Sequence, residues 1–154
     1  GRSQMSEIYF STRLNSFALG KGRKYPEKAI DTLELIEIAS TVKGLNALEI
    51  NYPEHFLSHN VEEISAALKK ASLEVKGIQL RWPAPKFANG GFSNHDSALR
   101  DAAIEMVAEA IKLAKALKTD HVLLWPAHDG YEYPLQMNYV DGWRWFKEAL
   151  QQRL

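Results

Sequence analysis

Four times along this 154-residue chain a short β-prone run hands over to a helical pattern, and that alternation limits the available folds more than any other feature. The runs are Glu7–Leu14, Leu45–Ile50, Leu73–Leu80 and His121–Trp125. After the first, Asp31 and Glu34 make an N-terminal capping pair ahead of Leu33, Ile36, Ala39 and Val42 at helical spacing, and Lys43-Gly44 closes the pattern. Asn60 and Glu63 repeat the device before Ile64, Ala67, Leu68 and Ala71. Ser93 and Asp96 precede the longest helix, which carries Ile104, Val107, Ile111, Ala114 and Leu117 along one stripe. Lys112, Lys115 and Lys118 gather near its end, where cations suit the helix dipole. A last helix is expected from about Val140, with Trp143, Trp145 and Phe146 on a face packed against the sheet. Strand–helix–strand units in series force parallel strands through right-handed crossovers, so the fold class is α/β with four parallel β-α units. Periodicity alone does not choose between an open doubly wound sheet and a segment of a closed barrel.

Composition narrows the function classes. The length suits one domain with a sizeable core. Lys and Arg (19) balance Asp and Glu (19), so the chain lacks the basic footprint of a nucleic-acid or anionic-membrane binder. It has no Cys, which removes disulfides, thiolate metal sites and Cys nucleophiles together; a cytoplasmic location is expected. No apolar run approaches the roughly 20 residues that span a bilayer. Met5 reads as the native start, with Gly1–Gln4 a cloning remnant and 5–154 the domain. Phosphate-binding glycine loops, H-E-x-x-H and G-x-S-x-G are all absent from the sequence.

In parallel α/β folds the functional groups lie where strands end and loops begin. Here those positions hold Arg13 and Asn15, then Asn51, Tyr52 and His55, then Gln79, Arg81 and Trp82, then Trp125, His128, Asp129 and Tyr131. Aromatic faces stack on the C–H faces of sugars while amides, guanidinium and imidazole groups bond hydroxyls, so this mixture suits a small polyol. Asn51, His55, Trp82, Trp125, His128 and Asp129 form the candidate substrate-binding set, and no residue is assigned a catalytic role. Each has a plainer alternative. Trp82 and Trp125 could plug the core, and Asp129 before Gly130 could simply hold a turn. His55 and His59 stand four apart, but Pro53 argues against a helix presenting both to a metal. His95-Asp96 reads as a helix entry, and His121 as structural.

The segment from Trp125 through Pro126, Ala127, His128, Asp129, Gly130, Tyr131, Glu132, Tyr133 and Pro134, followed by Asn138–Phe146, resembles the fourth unit of xylose isomerase-like TIM-barrel proteins. Ala47–Phe56 is similar to that family's strand followed by an aromatic-Pro pair, and the likeness runs from about Ser6 to Leu154. The resemblance implies half of a (β/α)8 barrel and, for the whole protein, metal-dependent sugar isomerisation or epimerisation. A divalent Mg, Mn or Co ion would hold the sugar oxygens, its ligands coming mainly from strands five to eight; it is expected in a full-length protein and not in this chain. Trp125 would wall the sugar pocket, with Asn51, His55 and His128 contacting hydroxyls. The expected ligand is a small sugar or polyol, with little or no activity from the chain alone. The alternative is a non-catalytic polyol-binding or regulatory module. An apurinic endonuclease relative would need a basic face, which the charge balance disfavours. Open sheet edges and an uncovered face lead us to expect a homodimer or larger assembly.

Overall fold

The structure is a computed structural model that describes residues 8–19, 28–126, 129 and 135–152. Its elements run β1 (Ser11–Arg13), α1 (Thr32–Ser40), β2 (Ala47–Tyr52), α2 (Val61–Lys70), β3 (Glu74–Arg81), α3 (Ser97–Ala116), β4 (Val122–Trp125) and α4 (Tyr139–Gln151). All neighbouring strands are parallel and the sheet order is β1-β2-β3-β4. The order never reverses, which separates this sheet from a doubly wound one. Leu35, Ile36 and Ala39 of α1, Ile64 and Leu68 of α2, and Ala110 and Ala114 of α3 share one buried cluster with Leu48, Ile50, Val75, Ile78 and Leu80 of the strands. Three helices therefore press on the same face of the sheet. Successive side chains of a strand alternate faces, so Arg13, Glu49, Asn51, Gln79, Arg81, Leu123 and Trp125 are committed to the opposite face.

The strands depart from the sequence reading in instructive ways. Only Ser11–Arg13 of the first run is strand, and Glu7 lies outside the described residues. Just before it the Asn46 side chain replaces the ladder: its Oδ1 accepts from the Phe10 N–H at 2.7 Å and its Nδ2 donates to the Ile8 carbonyl at 3.1 Å. Leu14 leaves the sheet in a 3₁₀ turn and is fully buried. β2 extends past Ile50, because Asn51 and Tyr52 find register partners in Gln79 and Leu80. Between Leu48 and Glu49 the register slips, since Leu48 pairs with Val75 and Glu49 with Gly77. The extra residue, Lys76, lets Val75 and Ile78 both face the helices. Its ammonium lies 3.5 Å from the Tyr9 ring centroid and donates to Glu74.

Caps hold the helices at their strand-proximal ends. Asp31 accepts from the Leu33 N–H at 3.0 Å, Asn60 and Glu63 form the full reciprocal box, and Asp96 and Asn138 cap α3 and α4. His59 ties the first two caps together. Its Nε2 meets Asp31 Oδ1 at 2.6 Å and its Nδ1 lies 3.3 Å from Glu63 Oε2. Ser93 precedes α3, as expected, and is buried in the loop before it.

A second cluster sits beyond the end of β3: Trp82, Phe87, Phe92, Ala103, Ile104 and Ala149. The Trp82 and Phe92 rings meet edge to face at 4.8 Å, and Phe92 meets Phe146 the same way at 5.4 Å. The three aromatic residues of α4 do not share one packed face. At about 100° per residue, Trp145 points well away from Trp143 and Phe146. Phe146 packs on the cluster, Trp143 is 68% exposed, and Trp145 is half-buried under the Arg100 guanidinium, 4.1 Å from its ring.

Two outcomes follow. A Cβ at Gly91 would stand 2.5–2.8 Å from Trp82 ring atoms, so Gly91→Ala should destabilise the fold by about 1–3 kcal/mol in urea unfolding. The two carboxylates also raise the His59 pKa above its ordinary 6.5, the Asp31 hydrogen bond being the largest cause. The stability contributed by His59 is then fully present below pH 6.5 and is lost as pH rises through the raised value. The unfolding midpoint of the native chain should exceed that of His59→Gln most clearly below pH 6.5, with the gap shrinking in alkali.

Candidate functional site

The side chains committed to the helix-free face converge at the C-terminal ends of the strands. Gln79 is the pivot, buried at the centre of β3. Its Nε2 donates to Glu49 Oε2 at 2.5 Å, and its Oε1 accepts from Trp125 Nε1 at 2.6 Å. A carboxylate only accepts and an indole N–H only donates, so these partners fix which way the amide points. They also hold the Trp125 ring, which remains 39% exposed. The guanidinium carbons of Arg13 and Arg81 lie 5.8 and 5.6 Å from that ring's centroid. Arg13, Asn51, Gln79, Arg81 and Trp125, with Glu54 and the Pro83-Ala84 turn, line a cavity of about 430 Å³.

Asn51 and His55 form a unit at the end of β2. The Asn51 N–H donates to His55 Nδ1 at 2.9 Å, and Asn51 Nδ2 donates to Glu54 Oε2 at 2.9 Å. A backbone N–H can only donate, so His55 Nδ1 holds a lone pair and the ring proton is on Nε2. Burial pushes the His55 pKa down; Glu54 opposes that and Arg13 adds to it. The imidazole is thus neutral, 3% exposed, and absent from the cavity wall, and its Nε2 has no partner among the described residues. Asn51 Oδ1 and Arg13 Nε, both on residues that line the cavity, also lack partners there.

The other expected residues go elsewhere. Trp82 borders the cavity but is 1% exposed, and its Nε1 donates to the Ala103 carbonyl at 3.3 Å, so its bulk belongs to the second core cluster. Asp129 works as a clasp between loops. Its Oδ1 accepts from the Gly91 N–H at 3.1 Å and from both the N–H and Oγ of Ser93 at 2.6 Å, and its own N–H donates to Pro126. Asp129 lines a separate, largely apolar hollow of about 360 Å³ with Met137, Trp143 and Phe146. His128 and Tyr131 lie outside the described residues. Conversely, Arg13, Gln79 and Arg81 were recognised as strand-end residues but not placed in the binding set, and Glu49 was missed. The signal for Glu49 was a carboxylate inside the apolar run Ala47–Ile50.

The metal implied by the resemblance finds no home among these residues. No three His, Asp or Glu side chains of the described residues group closely enough to hold an ion, so no chemical step is assigned to a metal here. Among the described residues no helix is long and apolar enough to cross a membrane.

The same fold is found within larger solved proteins. D-Psicose 3-epimerase from Clostridium cellulolyticum H10, solved with D-tagatose, superposes with a TM-score of 0.64 at 17% identity, over 94% of this chain and 47% of its own. The 3-keto-D-glucoside 4-epimerase of E. coli, in its apo form, gives 0.63 at 14% identity over 95% and 50%. A family 2 AP endonuclease from Brucella melitensis gives 0.62 at 16% identity over 93% and 48%. The fold is that of half a TIM barrel. The chain spans about half the length of each of these structures, and at such identities the likeness concerns the fold alone. No family model and no curated protein matches the sequence.

Replacing the pivot tests this arrangement. Gln79→Leu leaves the Trp125 N–H and the Glu49 carboxylate without their partner, and should lower unfolding stability by about 1–3 kcal/mol. Denaturant titration would show it.

Proposed function

We propose that this chain is the sugar-holding half of an epimerase or isomerase acting on small keto or aldo sugars. The strand-end cavity takes a polyol, and the divalent metal and acid–base groups of turnover belong to residues beyond those described. One observation carries this reading: Trp125 is locked by Gln79 yet leaves its ring in contact with the cavity, beside the unpartnered Asn51 Oδ1 and Arg13 Nε. A fixed aromatic face with polar side chains around it is the composition of a carbohydrate site, where the ring covers C–H groups and the polar groups read hydroxyls. Two of the similar folds being sugar epimerases supports the same substrate class. Proton transfer at a carbon beside a carbonyl would need a base within hydrogen-bond reach of that carbon. Glu49 and Glu54 are held by the Gln79 and Asn51 amides, and neither is assigned that task.

Calorimetric titration with D-tagatose should show saturable one-to-one binding to this chain, without conversion of the sugar. Trp125→Ala should weaken that binding about tenfold, which corresponds to about 1.4 kcal/mol. Equal affinity in the variant, or no binding by the native chain, would refute the reading.

A further inference from the structure

The two arginines at the cavity are unusual in what they do not touch. Arg13 is half-buried and Arg81 exposed, and both line the space beside Trp125. Neither forms an ion pair with any described carboxylate. The carboxylates at hand are held by neutral amides instead. Glu49, the register partner of Arg13, bonds to Gln79, and Glu54 of the cavity wall bonds to Asn51. An arginine–carboxylate pair is the stronger contact wherever geometry allows it, since charge-assisted and bidentate bonds exceed neutral ones. Its absence at two neighbouring arginines means that the fold holds the guanidinium groups away from these acids.

The Trp125 ring attracts each guanidinium without engaging its N–H groups. Contact with a ring face leaves the five in-plane donors of an arginine free. The ring therefore gathers two cations that pair with no described acid, and one of them carries a buried Nε unpartnered among the described residues. Two like charges near one ring repel, so an anion drawn to this side of the cavity would lower the energy of the arrangement. Planar, bidentate receipt of an oxyanion is what arginine does better than lysine.

We infer that the ligand of this cavity is a sugar bearing an anionic group, a phosphate ester or a carboxylate, received by Arg13 and Arg81 beside Trp125. This rests on the polyol reading above and narrows it to charged sugars. The polar atoms of Asn51 serve the hydroxyls while the guanidinium pair fixes the charged end, so the two ends of the ligand are told apart.

The test compares matched ligands by calorimetry on the native chain at low ionic strength: D-tagatose, its terminal phosphate ester, its terminal carboxylate analogue, and inorganic phosphate. At least one charged sugar should bind at least about tenfold more tightly than D-tagatose, as charge-assisted hydrogen bonds imply. The preference of phosphate ester over carboxylate, or the reverse, identifies the group. Arg81→Gln should remove most of that advantage. Should the variant fold poorly, the native chain still decides, because the advantage should fall as salt is added while D-tagatose binding changes little. Equal affinity for neutral and charged sugars overturns the inference and leaves the polyol reading standing. Inorganic phosphate binding as tightly as the phosphate ester also overturns it, since the site would then be a bare anion site. Binding of none of the four overturns both.

Discussion

With α1, α2 and α3 all resting on one face of an unreversed parallel sheet, every second strand side chain is committed to the other face. The rest of the molecule depends on this. The helix side absorbs the branched aliphatic residues, and each buried Leu or Ile contributes on the order of 1.5–3 kcal/mol. The opposite side is left to Glu49, Asn51, Gln79 and Arg81, a polar set that parallel strands covered on both faces would not tolerate. The single extra residue in β3, Lys76, keeps the two registers consistent, so the division between apolar and polar faces survives along the whole strand.

On the polar side order comes from hydrogen bonding. The Gln79 amide links a carboxylate on the neighbouring strand β2 to an indole on β4, and so turns three parallel strands into one rigid surface. The consequence is electrostatic as well as mechanical. Glu49 and Glu54 bond to amides, and Arg13 and Arg81 at the cavity form no ion pair with a described carboxylate. Away from the cavity Asp129 does related work on the loops, holding the Gly91 and Ser93 backbone N–H groups. That loop in turn lies over Trp82, where a side chain at position 91 has no room.

The similar solved structures are larger than this chain. Each is about twice the span matched here, and they include two sugar epimerases and an endonuclease. One scaffold thus carries different chemistries, and function has to be argued from the residues at the strand ends. In this chain those residues include Arg13, Asn51, Glu54, Gln79, Arg81 and Trp125 around a cavity of about 430 Å³.

Much of this was legible in the sequence. Caps at Asp31, Asn60 and Asp96 and the aliphatic stripes located the helices, because capping and amphipathic periodicity are local properties. The β-α alternation fixed parallel strands, and strand-end position alone brought Arg13, Asn51, Gln79, Arg81 and Trp125 into view. What sequence did not decide was which of those side chains meet. Trp82 and Trp125 each stand next to a proline at a strand end, yet Trp125 is the register partner of Arg81 while Trp82 follows Arg81 by one residue, so one stands at the cavity and the other is buried under Phe92. That difference follows from strand register, which near-neighbour patterns do not give. His55 was equally ambiguous until a backbone N–H was seen to take its Nδ1. The chain by itself determined the elements, their order and their apolar faces, since these follow from near-neighbour patterns. Only the tertiary structure decided the pairing of Glu49 with Gln79 and of Gln79 with Trp125, because residues 30 and 46 positions apart become partners only when strand register is set.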